Sequence, residues 1–424
     1  MRVPRWFGPL AGPLENSIFR LNLSRHGRAA GRAQARFVGT YVAVTGSVGK
    51  STTTGLIGHL LADSGSVELA AFRNALPQVY AVLRHLDQRA DYVVQEFSAH
   101  PPGMFEHAAK HISIDVAVVT TVGLDHLRRF RTAEAVAAEK AKLVQAVRAG
   151  GLVCLNADYP LVKAMAEDSP ARVVLFGRAT DAEVRAEAIS MTLPGRLEFD
   201  LVMGNTRRRV KTRFLGTAML DNCLAALSVV HGLGLDMDKA VARLETIEPI
   251  LDRLNVVAGP DGNSYALDTA KASHWSTMQL AQDIAGWGGR KVFVLGNVSD
   301  TGNHAERKYA QILRLAAKSA DLAIGVGDAA SPAERLSIGD TAQREKTAVP
   351  NVKPARTFEE ARVLIASMTP SLVILKGGRD YDLKQSLPSG TVLPKMPPER
   401  ERLDYRTSPS PALKSAAAIG TEAP

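Results

Sequence analysis

The sequence is poor in cysteine and has no long uninterrupted apolar run. The 424 residues include only two cysteines, Cys154 and Cys223, each in an apolar stretch (GLVCLNA and DNCLAAL). We therefore expect neither a disulfide nor a zinc site, and we expect the reducing cytoplasm as the compartment. No apolar stretch reaches the roughly 18 residues of a membrane-spanning helix. Pro4, Pro9 and Pro13 interrupt the N-terminus, which therefore does not resemble a secretory signal.

Acidic residues are nearly absent from the first 40 residues. This segment has seven arginines and one acid, Glu15, so it supplies six of the nine net positive charges of the chain. The remainder is close to neutral, which argues against nucleic-acid binding by the whole protein. We interpret residues 1–40 as a basic lead-in that is either solvated or in weak contact with an anionic membrane surface.

From about residue 41 onward, short apolar strands alternate with segments of helix length. YVAVT at 41–45 is typical of a buried strand, and a helix is expected from Lys50 to about Leu61. Alternation of this kind predicts a parallel sheet with helices on both faces. Further strands are predicted at 92–97, 116–120, 152–155 and 173–176, with a helix at 133–147.

Two other regions complete the predicted α/β fold. The segment at about 183–214 has the pattern of three consecutive antiparallel strands, and a helical stretch follows at about 218–244. A second strand–helix alternation begins near residue 256, which predicts a C-terminal Rossmann-like α/β domain after the central parallel-sheet domain with its small antiparallel portion. The predicted domains are a basic lead-in at 1–40, a central domain at 41–252, a C-terminal domain at 253–390 and a disordered tail at 391–424.

The segment TGSVGKST connects the first strand to the first helix. In this context a glycine-rich loop binds phosphate, because backbone N–H groups can approach the oxygens, a lysine supplies positive charge and a Ser hydroxyl can ligate Mg²⁺. Val44 replaces the first glycine of the usual Walker spacing. A glycine-containing turn with an incidental lysine is the alternative. The residues predicted to bind ATP are Thr45, Gly46, Ser47, Gly49, Lys50, Ser51 and Thr52.

This loop resembles the TGTNGKT-type loop of the Mur ligases. Together with folylpolyglutamate synthetase, these enzymes join a carboxylate to an amine with the use of ATP. Segments that resemble the family follow in the same order over about residues 41–385, and the last two look most like the MurF branch. They are VVQEFS, TTVGLDHLRRF, AEKAKL, LVCLNADYP, GTAMLDNCLAAL, LDRLN, ALDTAKAS, VFVLGNVSDTG and VILKGGRDYD.

The resemblance implies a metal and catalytic set. Glu96 and Ser51 match magnesium ligands, and Lys140 matches a lysine that the family carbamylates, which would turn an ammonium into a carboxylate. His126, after Asp125, matches a residue that would coordinate a second metal or orient a ligand. The plainer alternatives are a surface acid for Glu96, a helix cap for Asp125 and a solvated lysine for Lys140, as is expected for Lys142.

The resemblance also implies contacts to the nucleotide. Asn222 matches a residue that contacts adenine, Arg253 a phosphate-binding arginine and Asp268 an aspartate that binds ribose. An ordinary helix asparagine and surface charges are the alternatives. Lys376 would face the nucleotide or substrate, or be a plain turn lysine. Weaker hypotheses of substrate contact concern Arg73, Asn74, Lys271 and His274.

The sequence departs from the family pattern at several points. Ala218 and Met219 replace the His-Asn pair of one segment, and Gly378 replaces the serine of another. We expect no UDP-sugar-binding domain ahead of Tyr41, because the 40 residues there are too few to form one. The resulting prediction is an ADP-forming ligase that uses ATP, Mg²⁺, a small-molecule acid and an amine that is an amino acid or short peptide. The alternatives are a poly-γ-glutamate or folate-type glutamyl ligase, and an ATP-binding regulator without ligase activity.

Overall fold

The computed structural model describes residues 13–99, 102–123, 132–192, 196–249, 251–299, 301–339 and 348–394. Its strands are β1 (Thr40–Thr45), β2 (Val67–Ala70), β3 (Tyr92–Glu96), β4 (Ile114–Val119), β5 (Val147–Asn156), β6 (Arg172–Gly177), β7 (Val184–Thr192), β8 (Arg196–Met203), β9 (Thr206–Lys211), β10 (Asn255–Ala258), β11 (Ser264–Asp268), β12 (Lys291–Leu295), β13 (Leu322–Val326), β14 (Val352–Ala355) and β15 (Leu372–Lys376). Its helices are α1 (Pro13–Gln34), α2 (Lys50–Leu61), α3 (Leu76–Arg84), α4 (Met104–Ala109), α5 (Ala133–Gln145), α6 (Pro160–Lys163), α7 (Thr217–Gly232), α8 (Met237–Leu244), α9 (His274–Asp283), α10 (Ala305–Ser319), α11 (Ala330–Ile338) and α12 (Phe358–Ala366).

The strands form two sheets. The first has the order β2-β3-β1-β4-β5-β6-β7-β8-β9, parallel from β2 to β7, and β8 and β9 then continue it antiparallel. The second has the order β10-β11-β15-β12-β13-β14, with β10 antiparallel and the other strands parallel. The fold predicted from the sequence is therefore confirmed, including the antiparallel portion of the first sheet.

The central strands are apolar because both of their faces are buried. On β1, Val42 and Val44 belong to one core cluster, whereas Tyr41 and Ala43 belong to the cluster on the opposite face. Parallel sheets covered on both sides have such continuous apolar runs, since alternate side chains enter opposite layers. All parallel neighbours of β1 have their carboxyl ends at one edge, and this edge carries the residues discussed below.

The N-terminal segment differs from the expected solvated lead-in. Helix α1 packs on the first sheet's helical layer, with Leu23 and Ala30 fully or almost fully buried. The amide of Gln34 donates to the carbonyl of Ser113 at 2.7 Å and accepts from the N–H of Ser113 at 2.9 Å. From residue 13 onward, the basic segment is therefore part of the folded body.

The helical stretch expected at 218–244 is divided into α7 and α8. Gly234 has a φ of +69°, a conformation that glycine adopts without strain, and Asp236 then caps α8 by accepting from two backbone N–H groups. The expected disordered tail falls almost entirely on residues 395–424, which lie outside the described residues.

The two sheets are joined through α7 and its preceding turn. Leu215 is fully buried in the core of the second sheet, and the N–H of Thr217 donates to Asp283 of α9 at 2.6 Å. The first sheet ends at Lys211 and the second begins at Asn255. In the part of the chain that the structure describes, no helix has the length and apolar character needed to cross a membrane.

Candidate active site

The glycine-rich loop connects the carboxyl end of β1 to the first turn of α2. Gly49 precedes the helix with a φ of +84°, and a Cβ at this position would lie 2.3 Å from Oδ1 of Asn222. Only glycine fits this conformation and this close approach. The first N–H groups of a helix have no intrahelical acceptor, and Gly49 has no side chain that could accept from them. The loop therefore presents donors and the positive end of the helix dipole to an anion.

Strand β4 supports the loop from the neighbouring position. The hydroxyl of Thr120 donates to the carbonyl of Val48 at 2.6 Å, and the N–H of Val48 donates to the hydroxyl of Thr121 at 3.0 Å. The N–H of Ser47 donates to the carbonyl of Thr121 at 2.9 Å. The sequence analysis assigned no role to these two threonines, although a polar pair directly after a buried strand could have indicated one.

Ser51 and Glu96 lie in direct contact at this edge of the sheet. The Ser51 hydroxyl, in the first turn of α2, donates to Oε2 of Glu96 at 2.7 Å. Glu96 is the last residue of β3 and is only 2% exposed, so it is not the surface acid of the plainer alternative. Nearby, Nζ of Lys50 donates to the carbonyl of Gly46 at 2.8 Å, which folds this lysine over the loop.

Two further donors hold the Glu96 carboxylate. The backbone N–H of Phe72 donates to it at 2.9 Å and the amide of Asn74 at 2.7 Å. Asn74, named above as a weak substrate-contact hypothesis, thus lies on the predicted metal ligand. Every donor that the described residues supply to Glu96 is neutral. The negative charge is therefore oriented but not cancelled.

This donor set suits a hard divalent cation. Mg²⁺ prefers oxygen ligands and is commonly held by one or two carboxylates together with substrate phosphates and waters. Within the described residues no group of three or more His, Cys, Asp or Glu side chains could hold a metal by itself. Ser51 and Glu96 therefore fit a magnesium site that phosphate oxygens complete. Asp125 and His126 lie outside the described residues, so the role of His126 stays a prediction.

Lys140 is buried in α5 and is not the solvated side chain that its position on a helix would ordinarily give. Only 3% of the residue is exposed. Lys142, by contrast, is partly exposed and pairs at 2.9 Å with Glu139, which also accepts from the N–H of Gly103. The carbamate on Lys140 stays a prediction.

Asn222 lies beneath the loop. Its Oδ1 accepts from the hydroxyl of Thr53 in α2 at 3.1 Å, and its amide nitrogen contacts the sulfur of Met219 at 3.7 Å. The structure thus brings Asn222 to the loop and helix α2. Its contact with adenine remains a prediction.

In the second sheet, Asp268 and Lys376 form a buried ion pair. They end the neighbouring parallel strands β11 and β15, and Nζ of Lys376 lies 2.5 Å from Oδ2 of Asp268. Nζ also donates to the carbonyl of Lys271 at 3.0 Å. Lys376 is therefore more than a turn lysine, because it neutralises the predicted ribose-binding carboxylate.

Arg253 is presented by a strained turn. Both neighbours have left-handed backbones, with a φ of +62° at Asp252 and +57° at Leu254, and such conformations cluster at functional sites. The Asp252 carboxylate accepts from the hydroxyl of Thr269 at 2.8 Å and from Nζ of Lys384 at 3.1 Å. Arg253 itself is half-buried and has no hydrogen bond or ion pair to the described part of the chain.

One aromatic residue connects the second sheet's helices to the loop. A Cβ on Gly123 would lie 3.1 Å from the ring of Trp275, in the first turn of α9, so this ring packs on the Gly123 backbone. The N–H of Gly123 in turn donates to the hydroxyl of Ser47 at 3.0 Å. Beside Trp275, burial lowers the pKa of His274, and its Nε2 lacks a hydrogen-bond partner among the described residues.

Comparison with known sequences supports the family resemblance of the sequence motifs. The family model of the Mur ligase middle domain matches residues 44–230. The UDP-N-acetylmuramoyl-tripeptide–D-alanyl-D-alanine ligase of Mycobacterium tuberculosis is 31% identical over 289 residues, which cover 66% of this chain and 56% of the relative. The UDP-N-acetylmuramoyl-L-alanyl-D-glutamate–2,6-diaminopimelate ligase of Chlamydia pneumoniae is 29% identical over 293 residues, which cover 64% of this chain and 60% of the relative. The chain thus spans little more than half the length of these relatives.

Solved structures show the same fold. MurF from Acinetobacter baumannii superposes with a TM-score of 0.73 at 23% identity, over 87% of this chain and 79% of that one. MurF ligase from Thermotoga maritima, solved in complex with ADP, superposes with a TM-score of 0.72 at 19% identity, over 86% of this chain and 82% of that one. Residues 44–230 thus belong to the Mur ligase middle-domain family, and the solved structures show that the chain shares the fold of these ligases.

Proposed function

We propose that this chain is an ADP-forming ligase that joins a carboxylate to an amine with the use of ATP. The observation that carries the proposal is the 2.7 Å contact between Ser51 and the buried Glu96 beside a phosphate-binding loop. The Mur ligase middle domain that contains this pair supports the assignment. A protein that only binds ATP needs the loop, but it does not need a buried carboxylate aimed at the phosphates.

In the proposed reaction, an oxygen of the acid substrate attacks the γ-phosphorus of ATP, and ADP leaves. The amine nitrogen then attacks the acyl carbon, the bond to the phosphate oxygen breaks, and phosphate leaves as the nitrogen loses a proton. Negative charge accumulates on the transferring phosphoryl group, so its stabilisation is the main task of the protein.

The residues of the first sheet perform this task. The N–H groups in the first turn of α2, which have no acceptor within the helix, hold the phosphates, and Lys50 turns from the Gly46 carbonyl toward them. Ser51 and Glu96 would hold Mg²⁺, which would supply positive charge to the phosphate oxygens. Lys140 contributes as a carbamate, which adds a second buried carboxylate to the site. His126 orients or binds a further ligand.

Residues of the second sheet and of α7 complete the nucleotide site. Arg253 binds a phosphate, Asp268 accepts from the ribose hydroxyls and Asn222 faces the adenine. Because Lys376 already neutralises Asp268, this carboxylate suits neutral hydroxyl groups better than a metal ion.

The amine is an amino acid or a short peptide. The names of the relatives supply the first candidates, D-alanyl-D-alanine and 2,6-diaminopimelate. Glutamate with folate or poly-γ-glutamate acceptors tests the glutamyl-ligase alternative. The acid is left open, since the match covers little more than half of those relatives.

The test is ADP release by the purified full chain with ATP, Mg²⁺ and paired mixtures of acids and amines. We expect release that requires both an acid and an amine, and that Lys50→Ala eliminates. If ATP binds but no mixture stimulates release, the ligase proposal is wrong and the nucleotide-binding regulator is favoured.

A variant at Lys140 tests the carbamate assignment. Lys140→Ala should abolish turnover, and bicarbonate should not rescue it, because no amine remains to be carbamylated. Lys142→Ala, two residues further along α5, is the matched control and should retain activity. Full activity in Lys140→Ala would contradict the assignment.

A further inference from the structure

Helix α1 has two faces of different character. Its inner face packs against the protein through residues three and four positions apart: Leu23, Gly27, Ala30 and Gln34. A Cβ on Gly27 would lie 2.4 Å from the ring of His111, so glycine permits the close approach here. The two hydrogen bonds between Gln34 and Ser113 fix the C-terminal end of the helix. The orientation of the outer face is therefore set by the fold.

The outer face carries a stripe of positive charge, which we call the arginine stripe. Its members are exposed and spaced four, three, four and four residues apart: Leu21, Arg25, Arg28 and Arg32 on the helix, and Arg36 in the turn directly after it. Residues at this spacing share one face of a helix, and at about 1.5 Å per residue the helical part of the stripe is roughly 17 Å long. Leu21 is 60% exposed, so an apolar side chain lies at one end of the basic surface.

No acid in the described part of the chain pairs with the four arginines of the stripe. The contrast is the hairpin of β8 and β9 with the turn after it, where four arginines each form an ion pair. These pairs are Arg207 with Glu187 and Asp200, Arg208 with Asp238, Arg209 with Glu198 and Asp200, and Arg213 with Glu248. The chain thus neutralises one dense basic surface internally and leaves the other available to an external anion.

We propose that the arginine stripe docks the protein on an anionic phospholipid surface. The charges lie along one line on one outer face, as a flat surface requires, and they act together because the helix is held rigidly. Each Arg near such a surface contributes a favourable free energy of association, so four together favour binding on the order of a thousandfold. The exposed Leu21 can enter the headgroup region.

A nucleic acid is the less favoured partner. Recognition of single strands uses aromatic side chains on which bases stack, and none belongs to the stripe. The chain outside its first 40 residues has a net charge of only +3, since the first 40 supply +6 of the total +9. A broad positive groove for a polyanion is therefore not expected.

The experiment is co-sedimentation of the full chain with vesicles of phosphatidylcholine, with and without phosphatidylglycerol. We expect binding only to the anionic vesicles, at about 0.1 M salt, and its loss at about 1 M, where the screening length falls from about 10 Å to about 3 Å. Absence of binding to anionic vesicles at the lower salt would overturn the proposal. Binding that persists at the higher salt would also overturn it.

The stripe variant replaces Arg25, Arg28, Arg32 and Arg36 by Gln and should lower vesicle binding at least tenfold. The matched control replaces Arg207, Arg208, Arg209 and Arg213 by Gln, which changes net charge equally but removes paired arginines. An equal loss in both variants would show that net charge, rather than the stripe, binds the vesicles.

Two further variants test the proposal even if the variant with four stripe glutamines is unstable. Replacement of the four stripe arginines by Lys should retain binding, since the interaction depends on charge. If the Gln variant does not fold, Arg25→Gln with Arg28→Gln gives a smaller change that should still weaken binding. If single-stranded oligonucleotides bind in a stripe-dependent manner and vesicles do not, the partner is a nucleic acid and the lipid proposal is wrong.

Discussion

Two buried carboxylates end parallel strands in the two sheets, and their partners differ. Glu96 at the end of β3 accepts only from neutral donors among the described residues: the Ser51 hydroxyl, the Phe72 N–H and the Asn74 amide. Asp268 at the end of β11 instead contacts the ammonium of Lys376 at 2.5 Å. Neutral donors hold the first, whereas an ammonium already neutralises the second. The comparison therefore favours the proposed roles, with the cation at Glu96 and neutral hydroxyl groups at Asp268.

A third buried carboxylate has neither the three neutral donors of Glu96 nor the close ammonium of Asp268. Asp221 in α7 has an Oδ1 without a hydrogen bond from the described residues, and the guanidinium of Arg178 lies 3.9 Å from it. Burial raises the pKa of Asp221 to about 7. Desolvation thus outweighs the attraction of Arg178 here, and the neighbouring carboxylates of Asp158 and Asp283 act in the same direction, so the protonated acid is favoured.

The largest expected effect is on Glu96→Gln, which removes the charge and nearly preserves the volume. If Glu96 holds the cation, ADP release should fall on the order of a thousandfold. The measurement is kcat against Mg²⁺ concentration. Glu106→Gln, at an exposed acid paired with Lys110, is the control and should leave kcat unchanged. A fall in kcat of less than tenfold in Glu96→Gln would contradict the different roles proposed for Glu96 and Asp268.

Lys376→Met should reduce stability, because it leaves the Asp268 charge buried without its partner. We expect a loss of about 3 kcal/mol in the free energy of unfolding, from denaturant titration. The double variant with Asp268→Asn should recover part of this loss. Lys353→Met, at an exposed position on β14, is the control. A stability like that of the native chain would show that the buried pair does not compensate the charge of Asp268.

The pH dependence of stability should differ in Asp221→Asn. The folded-state pKa of about 7 lies above the unfolded value near 4, so the folded form retains a proton there that the unfolded chain loses. The contribution of Asp221 to the free energy of unfolding is therefore fully present below about pH 4 and declines as the pH rises to about 7. Relative to the native chain, Asp221→Asn should gain about 4 kcal/mol between pH 4 and pH 8, because each unit of pKa shift corresponds to about 1.4 kcal/mol.

Asp283 is the other buried acid near Asp221, and burial also raises its pKa. It is present in both chains, so the difference between them reports the titration of Asp221 together with its coupling to Asp283. A difference in unfolding free energy that is independent of pH would contradict the elevated pKa. Chemical denaturation of both chains at each pH measures this difference in unfolding free energy.

The smallest expected effect is that of Asp268→Asn on nucleotide binding. If the carboxylate accepts from ribose hydroxyls, KM for ATP should rise about tenfold with kcat little changed, since the contact is equal in ground and transition states. Asp261→Asn, at a turn acid that bonds Tyr265 and Asn263, is the control. A fall in kcat equal to that of Glu96→Gln would contradict the assigned roles.

The local sequence pattern was sufficient to predict the loop and strand β1 before it. Helix α2 begins at Lys50 and ends at Leu61, as expected, because a buried strand, glycines and a helix start occur in immediate succession. Ser51 and Glu96 were predicted to share a metal ion, Glu96 from the family resemblance, and the structure places the two side chains in direct contact. Two of the strands of four residues, β2 and β14, were missed because so short a segment shows little periodicity.

Long-range contacts account for most of the remaining differences. The inner face of α1 consists of Leu23 together with glycine, alanine and a single glutamine, and only packing against His111 and Ser113 identifies it as buried. The burial of Lys140 and the pairing of Asp268 with Lys376 likewise depend on residues distant in sequence. Local propensity carries no information on such partners.

The packing of Trp275 on Gly123 gives the protein a natural optical reporter. The ring belongs to α9, whereas the backbone under it is bonded to Ser47 of the phosphate-binding loop. Any rearrangement of the loop or of the two sheets changes the surroundings of this indole, and indole emission responds to its surroundings. If ATP binds this loop as proposed, its arrival can therefore be followed in real time by fluorescence without an attached dye, and a Trp275→Phe chain identifies the signal.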